Sequence, residues 1–267
     1  MAAGRLTCAL AAACWLLGAP GVRAQKVDAL AQARTFYNER NFTAAAAAAD
    51  AARSTAAWAD SADLIGARAY LERYRETAAA EDLAGAHARL RRVDPQELSA
   101  RERTEYIIGL GEALYFDGEY GSAAGVFESV LAGADPTAAG MRESVLEWWA
   151  TAIDRDARTR PDIEREPRYE RIRERMKAEL TFQPGSAAAS YWLAAAARGA
   201  GDLQAAWEAA QAGWVRAPLA PDHGAALRAD IDRLVLTGIA PERAKALNQP
   251  VEQVATAWEA FKALWTK

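Results

Sequence analysis

One spacing of small and large apolar residues occurs three times in this 267-residue chain, starting at Ala33, Gly111 and Ala194. Its successive steps are 3, 6, 3, 4 and 3 residues. Steps of 3 and 4 place side chains on one face of a helix, while the step of 6 crosses a short break. Each occurrence therefore predicts two helices joined by a tight turn that reverses the chain.

The rest of the sequence has the same character. About a quarter of all residues are Ala, which helices accept at the lowest cost. After Lys26 no stretch shows the sustained period-two alternation of a half-buried strand. The fold class that we predict is all-α.

The clearest occurrence is TEYIIGLGEALYFDGEYGSAAGVFESVLAGADP, in which the turn falls at residues 117–119. Gly111 lies on its first helix, and Ala123 lets the second helix approach closely. This pattern resembles the tetratricopeptide repeat, and Pro184 and Pro218 lie 34 residues apart, which is one period of that repeat. The resemblance implies a right-handed solenoid of helix pairs.

Two degenerate units lie between the three good matches. One covers residues 61–95, and the other pairs residues 141–156 with residues 169–180 across an insertion at 157–168. Together the five units predict repeats of this type over residues 25–218. An irregular helical bundle is the alternative that the same helices allow.

The pattern changes in residues 219–267, for which we predict a C-terminal capping segment. One helix is expected over residues 225–236, and Pro241 and Pro250 begin the next two. The last helix carries an apolar stripe that would cover the open end of a solenoid, made of Val251, Val254, Trp258, Phe261 and Trp265. Residues 230–244 also resemble the tail of a group of exported bacterial repeat proteins of unassigned role.

Residues 1–24 are typical of a secretory signal peptide. Arg5 supplies a positive charge, and an apolar run of about a dozen residues follows it. We predict cleavage between Ala24 and Gln25, and hence export to the periplasm or the extracellular space. A lipoprotein signal acylated at Cys14 is the alternative.

Composition and motifs exclude several kinds of chemistry. Both cysteines, Cys8 and Cys14, lie in the segment predicted to be removed, so the mature chain would hold no thiol. Its net charge would be −6, which argues against nucleic acid as a partner. Neither His87 nor His223 has a second metal ligand four positions on, and no GxSxG or phosphate-binding loop occurs. We predict no catalytic residue, metal or cofactor, and no stable membrane span in the mature chain.

The candidate binding residues come from the family resemblance. In tetratricopeptide-repeat proteins, the first helices of the repeats line a concave groove that binds peptides. Carrying these positions over by register gives a partner-binding set of Tyr37, Ile108, Glu112, Tyr115, Phe116, Tyr191 and Arg198. Aromatic and Arg side chains commonly anchor interfaces, although each ring could instead pack on a neighbouring repeat. Trp148 and Trp149 point about 100° apart on one helix, so we expect at least one to be partly exposed.

These observations favour an exported, non-enzymatic scaffold that binds a protein or peptide in its concave groove. One alternative is a periplasmic helical protein that encloses a small or lipid-like molecule near Trp148, Trp149 and Trp192. The other is a cell-envelope enzyme, for which the sequence offers no catalytic constellation.

Overall fold

The computed structural model describes residues 28–133 and 141–266, and within these ranges every regular element is a helix. The predicted all-α class is therefore confirmed, while the predicted signal peptide lies outside the described residues. The α-helices are α1 (Ala29–Asn38), α2 (Phe42–Arg53), α3 (Ala59–Thr77), α4 (Ala80–Leu90), α5 (Ala100–Phe116), α6 (Tyr120–Ala132), α7 (Arg142–Arg158), α8 (Asp162–Phe182), α9 (Ala187–Gly199), α10 (Leu203–Arg216), α11 (Ala225–Leu234), α12 (Ala240–Leu247) and α13 (Val251–Trp265).

Consecutive helices pack as pairs, with α1 on α2, α3 on α4, α5 on α6, and so on to α9 on α10. Each odd-numbered helix also contacts the next odd-numbered helix, from α1 with α3 to α9 with α11. The odd-numbered helices therefore form a continuous row. The two clefts described below lie along this row.

The residues of the repeated spacing lie where the paired helices touch. Ala123 and Phe127 of α6 are fully buried, and a Cβ added to Gly111 of α5 would lie 2.6 Å from the Phe127 ring. A larger residue at Gly111 would have to displace that ring. The corresponding Ala33 and Ala206 are also fully buried. Small residues at these positions thus allow the short distance between paired helices.

Glycines in the turns and a side-chain cap help to fix where the paired helices end and begin. Gly118 and Gly201 lie in the predicted turns, with φ of +84° and +80°, a conformation that strains other residues. At the start of α5, Ser99 and Glu102 form a reciprocal capping box: the backbone N–H of Glu102 donates to the Ser99 hydroxyl, and that of Ser99 donates to the Glu102 carboxylate.

The segment predicted as an insertion, residues 157–168, is mostly helical. α7 continues to Arg158 and α8 begins at Asp162, so the predicted helix start at residue 169 is wrong. Pro167 lies inside α8. Pro167 has no backbone N–H to donate to the carbonyl of Ile163. Because Ile163 is 84% exposed, water can donate to that carbonyl instead.

The C-terminal segment forms one continuous helical stretch, from α11 to α12, followed by α13. α11 continues through a π-helical stretch, Val235–Ile239, directly into α12, which begins at Ala240 and has Pro241 in its first turn, close to the predicted helix start. On α13, Trp258 is fully buried, with its ring centroid 5.7 Å from that of Trp207 and 5.6 Å from that of Trp214. α13 therefore packs against α10 through aromatic rings.

The predicted apolar stripe of α13 is buried only at its centre. Val254 and Trp258 are buried and Phe261 is partly buried, whereas Val251 and Trp265 are 40% and 54% exposed.

Candidate functional site

A cleft of about 690 Å³ lies among α3, α7, α9 and α11. We call it the C-terminal cleft, and its lining includes Arg75, Glu143, Glu147, Trp148, Tyr191, Trp192 and Asp230. Ser144 and Ala226, which also line it, are solvent-exposed, as are Arg75 and Asp230; Glu147 is exposed as a residue, but the packing around its carboxylate desolvates that group. The cleft is therefore open to solvent along one side.

Aromatic side chains join α3, α5 and α7 beside this cleft. The centroid of the Trp148 ring lies 5.0 Å from that of Tyr115 and 5.7 Å from that of Phe116, both on α5. Phe116 in turn lies 5.0 Å from Tyr74 of α3. All three contacts are edge-to-face, an arrangement that favours well-defined ring positions.

The adjacent tryptophans of α7 have different environments, as expected. Trp149 is fully buried, with the guanidinium groups of Arg171 and Arg175 lying over its ring. Trp148 is only partly buried and lines the C-terminal cleft. The cleft thus adjoins Trp148 and Trp192, but not Trp149.

Two carboxylates of α7 stand in the cleft. Glu147 accepts a hydrogen bond of 2.8 Å from the indole Nε1 of Trp192, and Oε2 of Glu143 accepts one of 3.0 Å from the backbone nitrogen of Ala188. The other oxygen of Glu143, Oε1, is buried and has no hydrogen-bond partner among the described residues. Both acids are therefore held in place by neutral donors from α9.

The basic residues near the cleft leave these two acids without an ion pair. Arg75 lies 2.5 Å from Glu72 of its own helix, and Arg233 lies 3.2 Å from Asp230. Within the described parts of the chain, no Lys or Arg nitrogen lies within 4.0 Å of the carboxylates of Glu143 or Glu147. The C-terminal cleft consequently carries an excess of negative charge.

The pKa shifts in the cleft agree with that excess. Burial raises the pKa of Glu147 above its ordinary value; the hydrogen bond from Trp192 opposes this, while Asp230 and Glu143 add to it. Burial also raises the pKa of Tyr191, and the charges of Glu147 and Asp230 raise it further. Negative charge is disfavoured here because the concave surface limits hydration and holds other acids.

A second cleft, of about 610 Å³, is lined mainly by α1, α3 and the start of α5. We call it the N-terminal cleft. Its charges are paired with each other: Arg34 lies 2.7 Å from Glu102, and Arg68 lies 2.7 Å from Glu105. The hydroxyl of Ser61 donates a further hydrogen bond of 2.6 Å to Glu102.

Charged groups also meet between the clefts. Burial raises the pKa of Glu112 to about 7, an effect that nearby Arg68 and Arg75 reduce and Glu72 increases. Burial likewise raises the pKa of Tyr37 to about 12, and the guanidinium of Arg68 lies 4.5 Å from its ring centroid. Glu112 is therefore a partly exposed acid that titrates near neutral pH.

The predicted groove residues all lie on odd-numbered helices, but in different settings. Tyr37 lines the N-terminal cleft, and Tyr191 lines the C-terminal cleft. Tyr115 and Phe116 are partly buried in the aromatic contact with α7. Ile108 packs partly buried against the central core.

Arg198, the last of the predicted set, contacts the C-terminal segment. Its guanidinium donates hydrogen bonds of 2.6 and 3.1 Å to Glu242 of α12. It also lies against Gly238, where an added Cβ would be 2.7 Å from its Cζ. These contacts join α9 to α12 and to the π-helical stretch before it.

The sequence analysis did not identify the two cleft carboxylates. Glu143 and Glu147 are four residues apart on one helix, a spacing that puts them on one face. That spacing is common in a chain with 36 acidic residues. Only the packing of α7, α9 and α11 distinguishes this pair from the others.

His87 lies beside a third cleft, on another part of the described surface. Nε2 of His87 lies 3.1 Å from Oδ2 of Asp117 beside an apolar cleft of about 420 Å³, whose lining includes no Ser or Cys. No group of three or more His, Cys, Asp or Glu residues there could hold a metal ion. In the same residues, no helix is both long enough and apolar enough to cross a bilayer.

Comparison of the chain with protein-family models, curated proteins and solved structures found no significant match.

Proposed function

We propose that this protein is an exported, non-enzymatic scaffold that binds a segment of a partner protein in the C-terminal cleft. The helices would form a right-handed solenoid of tetratricopeptide type, with residues 25–218 as repeats and residues 219–267 as its cap. The contact of each odd-numbered helix with the next supports this arrangement. The cleft would then belong to the concave face.

The observation that carries the binding proposal is the open cleft itself. Four helices distant in sequence line it, and it combines rigidly packed aromatic rings with two carboxylates, Glu143 and Glu147, that lack ion pairs. Aromatic side chains are enriched among the residues that dominate binding energies. Rings already ordered by contacts with α5 would lose little conformational freedom when a partner binds.

A steric variant tests the proposal. Ala226 of α11 is exposed and lines the cleft, so Ala226→Tyr should fill part of it without disturbing the core. Ala178→Tyr is the matched control, because Ala178 is exposed on α8 and does not line the cleft. Partner proteins captured from a lysate of the source should be lost with Ala226→Tyr and retained with Ala178→Tyr. Equal capture by both variants would exclude the cleft as the binding site.

A small-molecule site is the second candidate. The cleft volume lies within the range of about 300–1,000 Å³ that is usual for such ligands, and Trp148 and Trp192 line it. Native mass spectrometry of protein purified from its source distinguishes the two: a stoichiometric bound small molecule, displaced in Ala226→Tyr, would favour this candidate.

Export is a separate part of the proposal. Mass spectrometry of the protein isolated from its source should find an N-terminus at Gln25. Retention of Met1 would contradict export by this route, and an acylated Cys14 would show the lipoprotein alternative.

A further inference from the structure

Resting on the proposed function, we infer that the C-terminal cleft selects an extended segment bearing Lys or Arg at alternate positions, whose cationic side chains meet Glu143, Glu147 and Asp230. Three kinds of observation carry this inference: the charge of the cleft, its aromatic lining, and the spacing of the two acids on α7.

The first is charge complementarity. Three carboxylates line the cleft, and its single lining Arg, Arg75, is already paired with Glu72. Glu143 and Glu147 have no ion pair within the described residues, whereas Asp230 is paired with the exposed Arg233. An ammonium or guanidinium group supplies several N–H donors and the missing positive charge, whereas an acidic segment would add to the repulsion.

The second is the aromatic lining. Trp148, Tyr191 and Trp192 stand beside the carboxylates. A cation over an aromatic face gains electrostatic attraction from the ring, and the methylene groups of a Lys or Arg chain pack on the same surface. Rings combined with acids therefore suit a long cationic side chain better than an inorganic cation.

The third is spacing, which favours a segment of chain over a free amine. Glu143 and Glu147 are four residues apart on α7, so their backbone positions differ by about 6 Å along the helix axis. Side chains on the same face of an extended strand recur every two residues, at about 6.6 Å. An extended segment parallel to α7 can therefore place alternate cationic side chains opposite the two acids.

Fluorescence anisotropy with three labelled peptides tests the inference. Each peptide has four repeats of Gly-Lys, Gly-Gln or Gly-Glu. We expect the Lys peptide to bind the 267-residue chain, and the dissociation constant to rise about tenfold in Glu143→Gln with Glu147→Gln. Gln can still accept the hydrogen bonds from Ala188 and Trp192, so the fold should persist, and circular dichroism checks that it does.

The matched control is Glu166→Gln with Glu174→Gln on α8. Both glutamates are exposed and neither lines the cleft, so net charge changes equally but at another surface. This control should alter the dissociation constant by less than about twofold. Equal weakening by both double variants would show nonspecific charge attraction and overturn the inference.

Covalent mapping locates the bound peptide. A water-soluble carbodiimide couples a Lys amine to a carboxylate in contact with it, with loss of water taken up by the reagent. Cross-links should form at Glu143, Glu147 or Asp230, and not at Glu166 or Glu174. Cross-links confined to other acids would overturn the assignment.

Two further outcomes separate this inference from the proposed function. If Gln or Glu peptides bind as tightly as the Lys peptide and are lost in Ala226→Tyr, the charge selectivity fails while the binding cleft stands. If spermidine at equal amine concentration displaces the Lys peptide completely and binds more tightly, the occupant is a free amine and the segment inference fails. Failure of all three peptides also overturns it, while lysate capture with Ala226→Tyr tests the proposed function independently.

Discussion

The two clefts along the odd-numbered helices have similar volumes, but the carboxylates of one are in ion pairs and two carboxylates of the other are not. In the N-terminal cleft, Glu102 and Glu105 are neutralised by Arg34 and Arg68. In the C-terminal cleft, Glu143 and Glu147 receive hydrogen bonds only from neutral groups. Charges that satisfy one another hold helices together, whereas charges without counter-ions remain available to a ligand. The comparison favours a structural role for the first cleft and is a reason for the binding role that we propose for the second.

The largest expected effect separates these roles by stability. Glu102→Gln with Glu105→Gln should lower the free energy of unfolding by about 3 kcal/mol, because the partly buried Arg68 loses its counter-charge and the capping box weakens. The same change at Glu143 and Glu147 removes no ion pair and, because burial raises the pKa of Glu147, should not lower the free energy of unfolding. Urea denaturation of both double variants measures the difference. Equal losses would remove the distinction between the clefts.

A smaller effect concerns the acid between the clefts. The pKa of Glu112 rises from an ordinary 4.5 to about 7 on folding. Stability is therefore fully present below about pH 4.5, where the group is protonated in both states, and it falls as the pH rises through 7. Glu112→Gln removes this loss and should raise the free energy of unfolding at pH 8 by about 2 kcal/mol, since partial exposure moderates the full shift.

Denaturation at pH 4.5 and pH 8 checks the Glu112 prediction. The gain from Glu112→Gln should nearly disappear at the lower pH. Glu81→Gln, at an exposed position on α4, is the control for removal of one acid, and the gain at pH 8 should be larger for Glu112→Gln than for this variant. A gain of the same size at both pH values would mean that Glu112 does not titrate in this window.

The smallest expected effect sharpens the charge contrast within the C-terminal cleft. Arg233→Gln removes the ion pair that partly neutralises Asp230, and both side chains are at least half exposed. Binding of the Lys peptide should tighten by about twofold to threefold, while stability changes by less than about 0.5 kcal/mol. Anisotropy titration measures the first quantity and thermal melting the second. Unchanged or weaker binding would place the peptide away from Asp230.

Sequence patterns predicted the turns and the small contact residues of the helix pairs, because these features depend on residues close together in the chain. The turns at Gly118 and Gly201, and the buried Ala123, follow from glycine conformation and small-residue spacing. The sequence predicts an insertion at residues 157–168, whereas α8 begins at Asp162 and contains Pro167. Its cost near the exposed start of α8 is small enough for the helix to continue.

The candidate site was less accessible to such reasoning. Tyr37 and Tyr191, chosen by register, lie on helices that line clefts. It did not reveal that Arg198 pairs with Glu242, or that Trp148 shares a cleft with Asp230. These relations join residues far apart in the chain, and one sequence contains no local signal of them.

Residues close together in the chain specify the helical class, the turns at Gly118 and Gly201 and the small residues at helix contacts, because 3.6-residue periodicity and backbone preferences act over a few positions. Which acids have a counter-ion depends instead on how the helices pack. Ion pairing depends on distances of a few ångströms between helices, and the packing of α1, α3 and α5 brings Arg side chains to Glu102 and Glu105. The packing of α7, α9 and α11 brings none to Glu143 and Glu147 among the residues described.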